Sequence, residues 1–143
     1  ANASGRSVGV KENTTFEQYL RRDLRLPGLD SPNYQIDDAK ILRFPDKADA
    51  LKALAKGEVD AAVTSLATAQ AAINDGLALR VLPGFLFFEP VAVAVDKSDP
   101  EFSRMVEEAV LAMSGDGTLG QLSIKWFGID MTQLAPVGAP AAR

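Results

Sequence analysis

A short apolar run leading directly into a capped helix occurs three times in succession between residues 7 and 74, and no other feature restricts the fold as tightly. Ser7-Val8-Gly9-Val10-Lys11 alternates as a strand and passes into Asn13-Thr14-Thr15-Phe16-Glu17, where Thr14 and Glu17 have the spacing of a capping box. That pattern predicts a helix over 15–24, with Phe16, Tyr19, Leu20 and Leu24 on its buried stripe. A polar loop follows, marked by Pro27-Gly28 and Ser31-Pro32-Asn33. Residues 39–44 read as a second strand, and Pro45-Asp46 opens a second helix with Asp46 as N-cap and Asp49 in its first turn. Leu51, Leu54 and Ala55 recur at helical spacing, and Gly57 supplies the stop. Residues 59–63 form a third strand, broken only by Asp60, which is expected at a strand edge or bonded to backbone. Thr64-Ser65 then caps a third helix ending near Asn74-Asp75-Gly76, and 77–82 and 90–95 read as further strands.

Strand–helix alternation of this kind predicts an α/β fold: a mostly parallel sheet with helices on both faces. A C-terminal helix pair completes it. Asp99 caps the first of the pair with Pro100 at its first position, and Phe102, Met105, Val106, Ala109 and Met113 make its apolar stripe up to Gly115-Asp116-Gly117. The second carries Leu119, Leu122, Ile124 and Trp126 and stops at Gly128, before a Pro/Gly/Ala-rich tail expected to fray. In an open parallel sheet the loops at the carboxyl ends of the strands face one side, and ligands bind there.

Composition removes most catalytic chemistry. The chain has no Cys and no His, so thiolate nucleophiles, imidazole bases, Ser-His-Asp triads and the commonest transition-metal ligands are all absent. With 15 basic against 19 acidic residues it lacks the basic excess of a nucleic-acid binder. Residues 86–95, the most apolar stretch, are interrupted by Glu89 and Pro90 and too short to span a bilayer, which takes about 20 residues. No Gly-rich phosphate loop is present, and neither a cofactor nor a metal is expected.

What remains is the sheet edge. Lys11 ends the first strand and Asn13, Thr14 and Thr15 follow it, and Thr64 and Ser65 follow the third. Each group places hydroxyls and backbone N–H groups at a helix start, where unpaired donors and a partial positive charge suit a carboxylate or phosphate. The alternative is that Thr14, Thr64 and Ser65 only cap their own helices, and that Lys11 only faces solvent. For an enzyme, Glu12 is the one cleft carboxylate in reach of that edge.

Several segments together resemble the family 3 extracellular solute-binding proteins, the receptors of polar amino-acid ABC importers. They are residues 5–10 with Asn13 to Leu20, the passage from Ala50 to Val63, that from Val91 to Phe102, and the ending Asp116-Gly117-Thr118-Leu119 with Lys125-Trp126-Phe127-Gly128. The resemblance covers about residues 5 to 132 and implies two α/β lobes closing on a solute, with this chain holding mainly lobe two. It implies a ligand-binding lobe over 4–90, a return strand and helices over 91–132 that pack on lobe one, and a flexible tail over 133–143. It carries carboxylate binding onto Thr15, with Thr14 adjacent, and side-chain contact onto Lys11. Asn13 stands where the family has Gly. Ser65 stands where members often place an Asp for the ligand ammonium, so an ammonium held there would lose a charge-assisted bond. The resemblance further implies a small polar solute, a membrane ABC permease as partner, a periplasmic or extracellular location, and no catalysis. With lobe one largely lacking, the last two helices are expected to find their own lobe or a second copy, as a homodimer or domain swap. A dehydratase-like enzyme and a sensor module of a signalling chain are the alternatives on the same fold.

Overall fold

The computed structural model describes residues 3–26, 32–89 and 91–133. The chain forms two compact units, one ending at Phe87 and the other beginning at Phe88.

The first unit is built on three parallel strands, β1 (Ser7–Lys11), β2 (Lys40–Phe44) and β3 (Ala61–Val63), in the order β2-β1-β3. Ser7 pairs with Lys40 and Lys11 with Phe44 on one side of β1, while Val8 pairs with Ala61 and Val10 with Val63 on the other. Side chains alternate between the faces of a strand, and β1 uses both. Val8 and Val10 are fully buried on the face that receives α1 (Thr15–Leu20), packed with Tyr19, Leu20, Leu24, Ile36 and Val63. Gly9 points to the opposite face, where α2 (Lys47–Ala55) lies so close that a β-carbon on Gly9 would stand 3.2 Å from the Phe44 ring, 3.3 Å from Val59 and 3.6 Å from Ala50. Helices thus cover both faces, as the strand–helix alternation predicts. α3 (Leu66–Asn74) packs beside α2.

The helices start on the expected caps. Thr14 Oγ1 accepts from Glu17 N, Asp46 Oδ1 from Ala48 N and Ser65 Oγ from Thr68 N. They end by one device, in which the last carbonyls accept from two residues beyond the helix. Gly57 N–H bonds to Leu54 O and Glu58 N–H to Ala53 O after α2; Gly76 and Leu77 repeat this after α3. The device needs a left-handed residue, and after α1 that residue is Arg22, at φ 63°. Its N–H bonds to Tyr19 O and that of Asp23 to Gln18 O, so α1 stops at Leu20 instead of reaching residue 24. Leu24 still turns back into the core. Arg22 is held there by an ion pair with Asp37 and by its place 5.2 Å from the Tyr34 ring centre.

Two expected strands do not form. Residues 77–82 carry no ladder: Leu77 N–H is spent on Ala72 O and Leu79 N–H on Leu77 O, which leaves the segment bonded locally. Residues 91–95 alternate Val and Ala but pair with no strand among the described residues, and Val91 is 97% exposed. A strand needs a neighbour, and apolar alternation alone does not provide one. Pro90, the loop residues 27–31 and the tail 134–143 lie outside the described residues.

The second unit comprises α4 (Pro100–Gly115), α5 (Thr118–Phe127) and a short 3₁₀ turn at Met131–Gln133. Asp99 caps α4 through Phe102 N–H, with Pro100 at the first position as expected. α5 and the turn are tied by Ser123, whose hydroxyl donates to Ile129 O and accepts from Met131 N, both at 2.8 Å. No residue of α4 is buried, and large apolar side chains of both helices stand in the open: Phe102 is 51% exposed, Leu111 64% and Trp126 65%.

Candidate functional site at the carboxyl edge of the sheet

The three strands end level. Lys11 is paired with Phe44, and because Val10 is paired with Val63, Thr64 follows at the height of Lys11 on the adjoining strand. Neighbouring strands lie about 4.8 Å apart, so Lys11 and Thr64 share one short stretch of edge. Beyond it the chain opens α1 from Thr14, α2 from Asp46 and α3 from Ser65. The helix after β1 covers one face of the sheet and the helix after β3 lies beside α2 on the other. The loops after β1 and β3 therefore part in opposite directions, which makes this the topological position at which open α/β sheets bind ligands.

Three helix tips reach this edge, where the sequence pointed to two. The tip of α2 already holds an anion of its own, since Asp46 Oδ1 accepts from Ala48 N at 2.7 Å. At α1 much of the donor capacity is also spent. Thr14 Oγ1 donates to Lys11 O at 2.7 Å and accepts from Glu17 N, so its single proton serves the turn and leaves a ligand only a lone pair. Asn13 N–H goes to Glu17 Oε2 at 2.8 Å. Asn13 sits at φ 57°, the left-handed region, and its side chain is exposed; Thr15 is half-buried as the first residue of α1.

On the β3 side Ser65 Oγ caps Thr68 N and shares a 2.8 Å hydrogen bond with Thr68 Oγ1. Thr64 differs from every other hydroxyl near the edge: its Oγ1 is sealed from solvent and has no hydrogen-bond partner among the described residues. A buried hydroxyl in that condition is destabilising, and such exceptions call for a physical reason. Lys11 has no ion pair among the described residues. Among the described residues the edge thus combines an ammonium without an ion pair and the start of α3, features able to receive a small carboxylated solute, with a sealed, unpartnered hydroxyl that a solute would reach only by opening the edge. Glu12 is exposed, and its N–H ties the loop to Phe44 O at 2.9 Å.

Two further residues stand behind this edge. Glu17 is only 6% exposed, and its Oε1 accepts from Arg43 Nε at 2.5 Å while Oε2 takes the Asn13 N–H. The Asn13 N–H and then Arg43 hold its carboxyl below the usual glutamate range. The sequence offered Glu17 as half of a capping box; its bond to Arg43, 26 residues away, had no sequence signal. Phe16, the residue after the paired threonines, packs on Phe87 with the rings tilted by 41° and their centres 5.8 Å apart, and carries the Lys47 ammonium 5.6 Å from its ring centre. Asp60 lies at the opposite, amino end of the strands, where Oδ2 accepts from Ser7 N at 2.9 Å and Ser7 Oγ at 2.6 Å. It bonds backbone, as anticipated, and takes no part in the edge. Among the described residues no group of Asp and Glu is arranged to hold a metal ion.

Comparison with known proteins gives a consistent relationship. The chain is 32% identical to the L-cystine-binding protein TcyJ of Escherichia coli K12 over 90% of its length, and equally to the protein of that name from Escherichia coli O6:H1. It spans 44% of the length of these relatives. Neither bears the name of an enzyme. No family model matches the chain, and no solved structure matches it. The alignment reaches far beyond any single motif, and its partner is a binding protein for an amino acid. The chain is a homologue of the L-cystine-binding proteins, in keeping with the resemblance of its sequence to the family 3 extracellular solute-binding proteins.

Proposed function

We propose that the chain is the solute-binding part of an ABC importer for a small polar amino acid or related carboxylate, with Lys11, Asn13, Thr14, Thr15, Thr64 and Ser65 forming its wall of the site. The observation that carries the reading is that the sealed Thr64 hydroxyl and the Lys11 ammonium, neither with a partner among the described residues, fall side by side in register at the carboxyl edge between β1 and β3. A solute that opens the edge would satisfy the hydroxyl, and Lys11 and the start of α3 favour a carboxylate. The homology to cystine-binding proteins makes L-cystine the first solute to try. The reading includes a periplasmic or extracellular location and delivery to a membrane permease, and the function is binding without turnover.

A homodimer or domain swap is the association that the open apolar faces of α4 and α5 favour, since each places several large side chains in water. Sedimentation velocity across a wide concentration range reads it; a monomer at every concentration rules it out.

Isothermal titration calorimetry with L-cystine, other amino acids and simple dicarboxylates tests the solute-binding reading. Saturable heat for one of them, lost in Thr64→Val combined with Lys11→Met, supports it. Equal binding by wild type and the double variant sends the site elsewhere.

A further inference from the structure

We propose that Glu17 is a positioning residue for the solute site, acting as a latch that holds residue 13 in the left-handed conformation from which Thr14 and Thr15 are presented. The inference rests on the solute-binding reading above and deepens it.

A glutamate 6% exposed is costly to bury unless its charge is answered, and here two elements answer it. One oxygen receives Arg43 Nε from β2 at 2.5 Å, with Arg21 Nη1 a further 3.8 Å away, and the other receives Asn13 N–H at 2.8 Å. An ordinary capping box bonds the N-cap residue's own N–H. This carboxylate reaches one residue further back, to the residue in the left-handed conformation. Asn adopts that conformation less readily than glycine, so it persists where surrounding contacts impose it.

The remaining ties of the loop lie on either side of that point. Glu12 N–H bonds to Phe44 O at 2.9 Å, and Thr14 Oγ1 to Lys11 O at 2.7 Å. Among the described residues, the Asn13–Glu17 bond is the one that acts on the left-handed residue itself. Arg43 fixes the Glu17 carboxylate, and Glu17 fixes the turn. Without the latch, residue 13 relaxes toward negative φ, and the hydroxyl and N–H groups of residues 14 and 15 move off the edge of the sheet.

The mechanism makes an unusual rescue possible. Glycine holds a positive φ without help, so Asn13→Gly should restore what loss of Glu17 takes away, although it returns neither the carboxylate nor the Arg43 pair. A Glu17 that only stabilises the fold cannot be rescued this way. The experiment is a titration of L-cystine and an amino-acid panel into wild type, Glu17→Ala, Asn13→Gly/Glu17→Ala and Asn13→Ala/Glu17→Ala. Loss of the charged hydrogen bond is expected to weaken binding about tenfold in Glu17→Ala. Glycine at 13 should recover most of that loss, and alanine should deepen it. Asn13→Ala alone, at an exposed position, gives the same comparison if Glu17→Ala does not fold, and should bind more weakly than Asn13→Gly. Equal effects of glycine and alanine at 13, or Glu17→Ala binding as wild type does, overturn the inference while leaving the solute-binding reading intact. A wild-type chain that binds no member of the panel overturns the reading, and the inference with it.

Discussion

Thr64→Val should make the protein more stable and a weaker binder. Thr64 Oγ1 is sealed from solvent and has no partner among the described residues, so folding strips the hydroxyl of water and returns nothing. Such a group costs about 1–3 kcal/mol. Valine keeps the branched shape and the extended backbone preference, and replaces the hydroxyl by a methyl that needs no bond but must fit the same space. That requirement places the gain at the low end, about 1 kcal/mol, or roughly a 4 °C rise in midpoint for a domain of this size. Urea and thermal unfolding of both proteins without solute give the first number, and calorimetric titration gives the second. If the hydroxyl exists for the solute, the variant gains in the first measurement and loses about fivefold or more in the second. A variant less stable than wild type by over about 0.5 kcal/mol would refute the reasoning, because it would mean that the hydroxyl has a partner in the folded state.

Glu17 gives a pH prediction with a definite sign. Its carboxyl is held below the ordinary value of 4.5, first by the Asn13 N–H and then by Arg43, so the folded state binds a proton less readily than the unfolded chain. The stabilisation it provides is full above pH 4.5 and drains away as pH falls through the lower folded value. Asp60, Asp96 and Asp116 are shifted the same way, chiefly by hydrogen bonds from Ser7, Ser98 and Thr118, so acid unfolding is shared. The readout is therefore a difference: stability of Glu17→Gln should fall less steeply than that of wild type between about pH 5 and 3, and parallel curves would contradict this. Gly9→Val tests the packing of α2 on the sheet. Its β-carbon alone would lie 3.2 Å from Phe44 and 3.3 Å from Val59, so overpacking should cost about 1–3 kcal/mol in urea unfolding, and a neutral result would mean that α2 does not pack so closely on the sheet.

The helices of both units were largely legible in the sequence because their signals are local. Thr14 with Glu17, Asp46, Ser65 and Asp99 with Pro100 each announce a helix start through a side chain that bonds within three residues. Gly57 and Gly76 announce helix ends for the same reason, whereas Arg22 does their work without the residue that usually signals it. Alternation in residues 91–95 suggested a strand that does not form, because pairing is a property of a neighbour. The site was half legible. Topology brings Thr15 and Ser65 to one edge, as the capped strand ends implied, but the state of each group depends on contacts distant in sequence. That Thr14 has spent its proton, that Thr64 has no partner, and that Arg43 grips Glu17 follow only from three-dimensional packing. A third helix tip, closed by its own Asp46, could have been inferred from that cap and was not.

Solute is expected to bind at the carboxyl edge of the sheet, between the loops after β1 and β3. Amide chemical shifts of the ¹⁵N-labelled chain, followed as L-cystine is added, test it most directly. Saturable shifts concentrated in residues 11–16 and 64–66 are expected, with the amino end of the sheet around Ser7 and Asp60 unmoved. Saturable shifts that bypass both loops would contradict it.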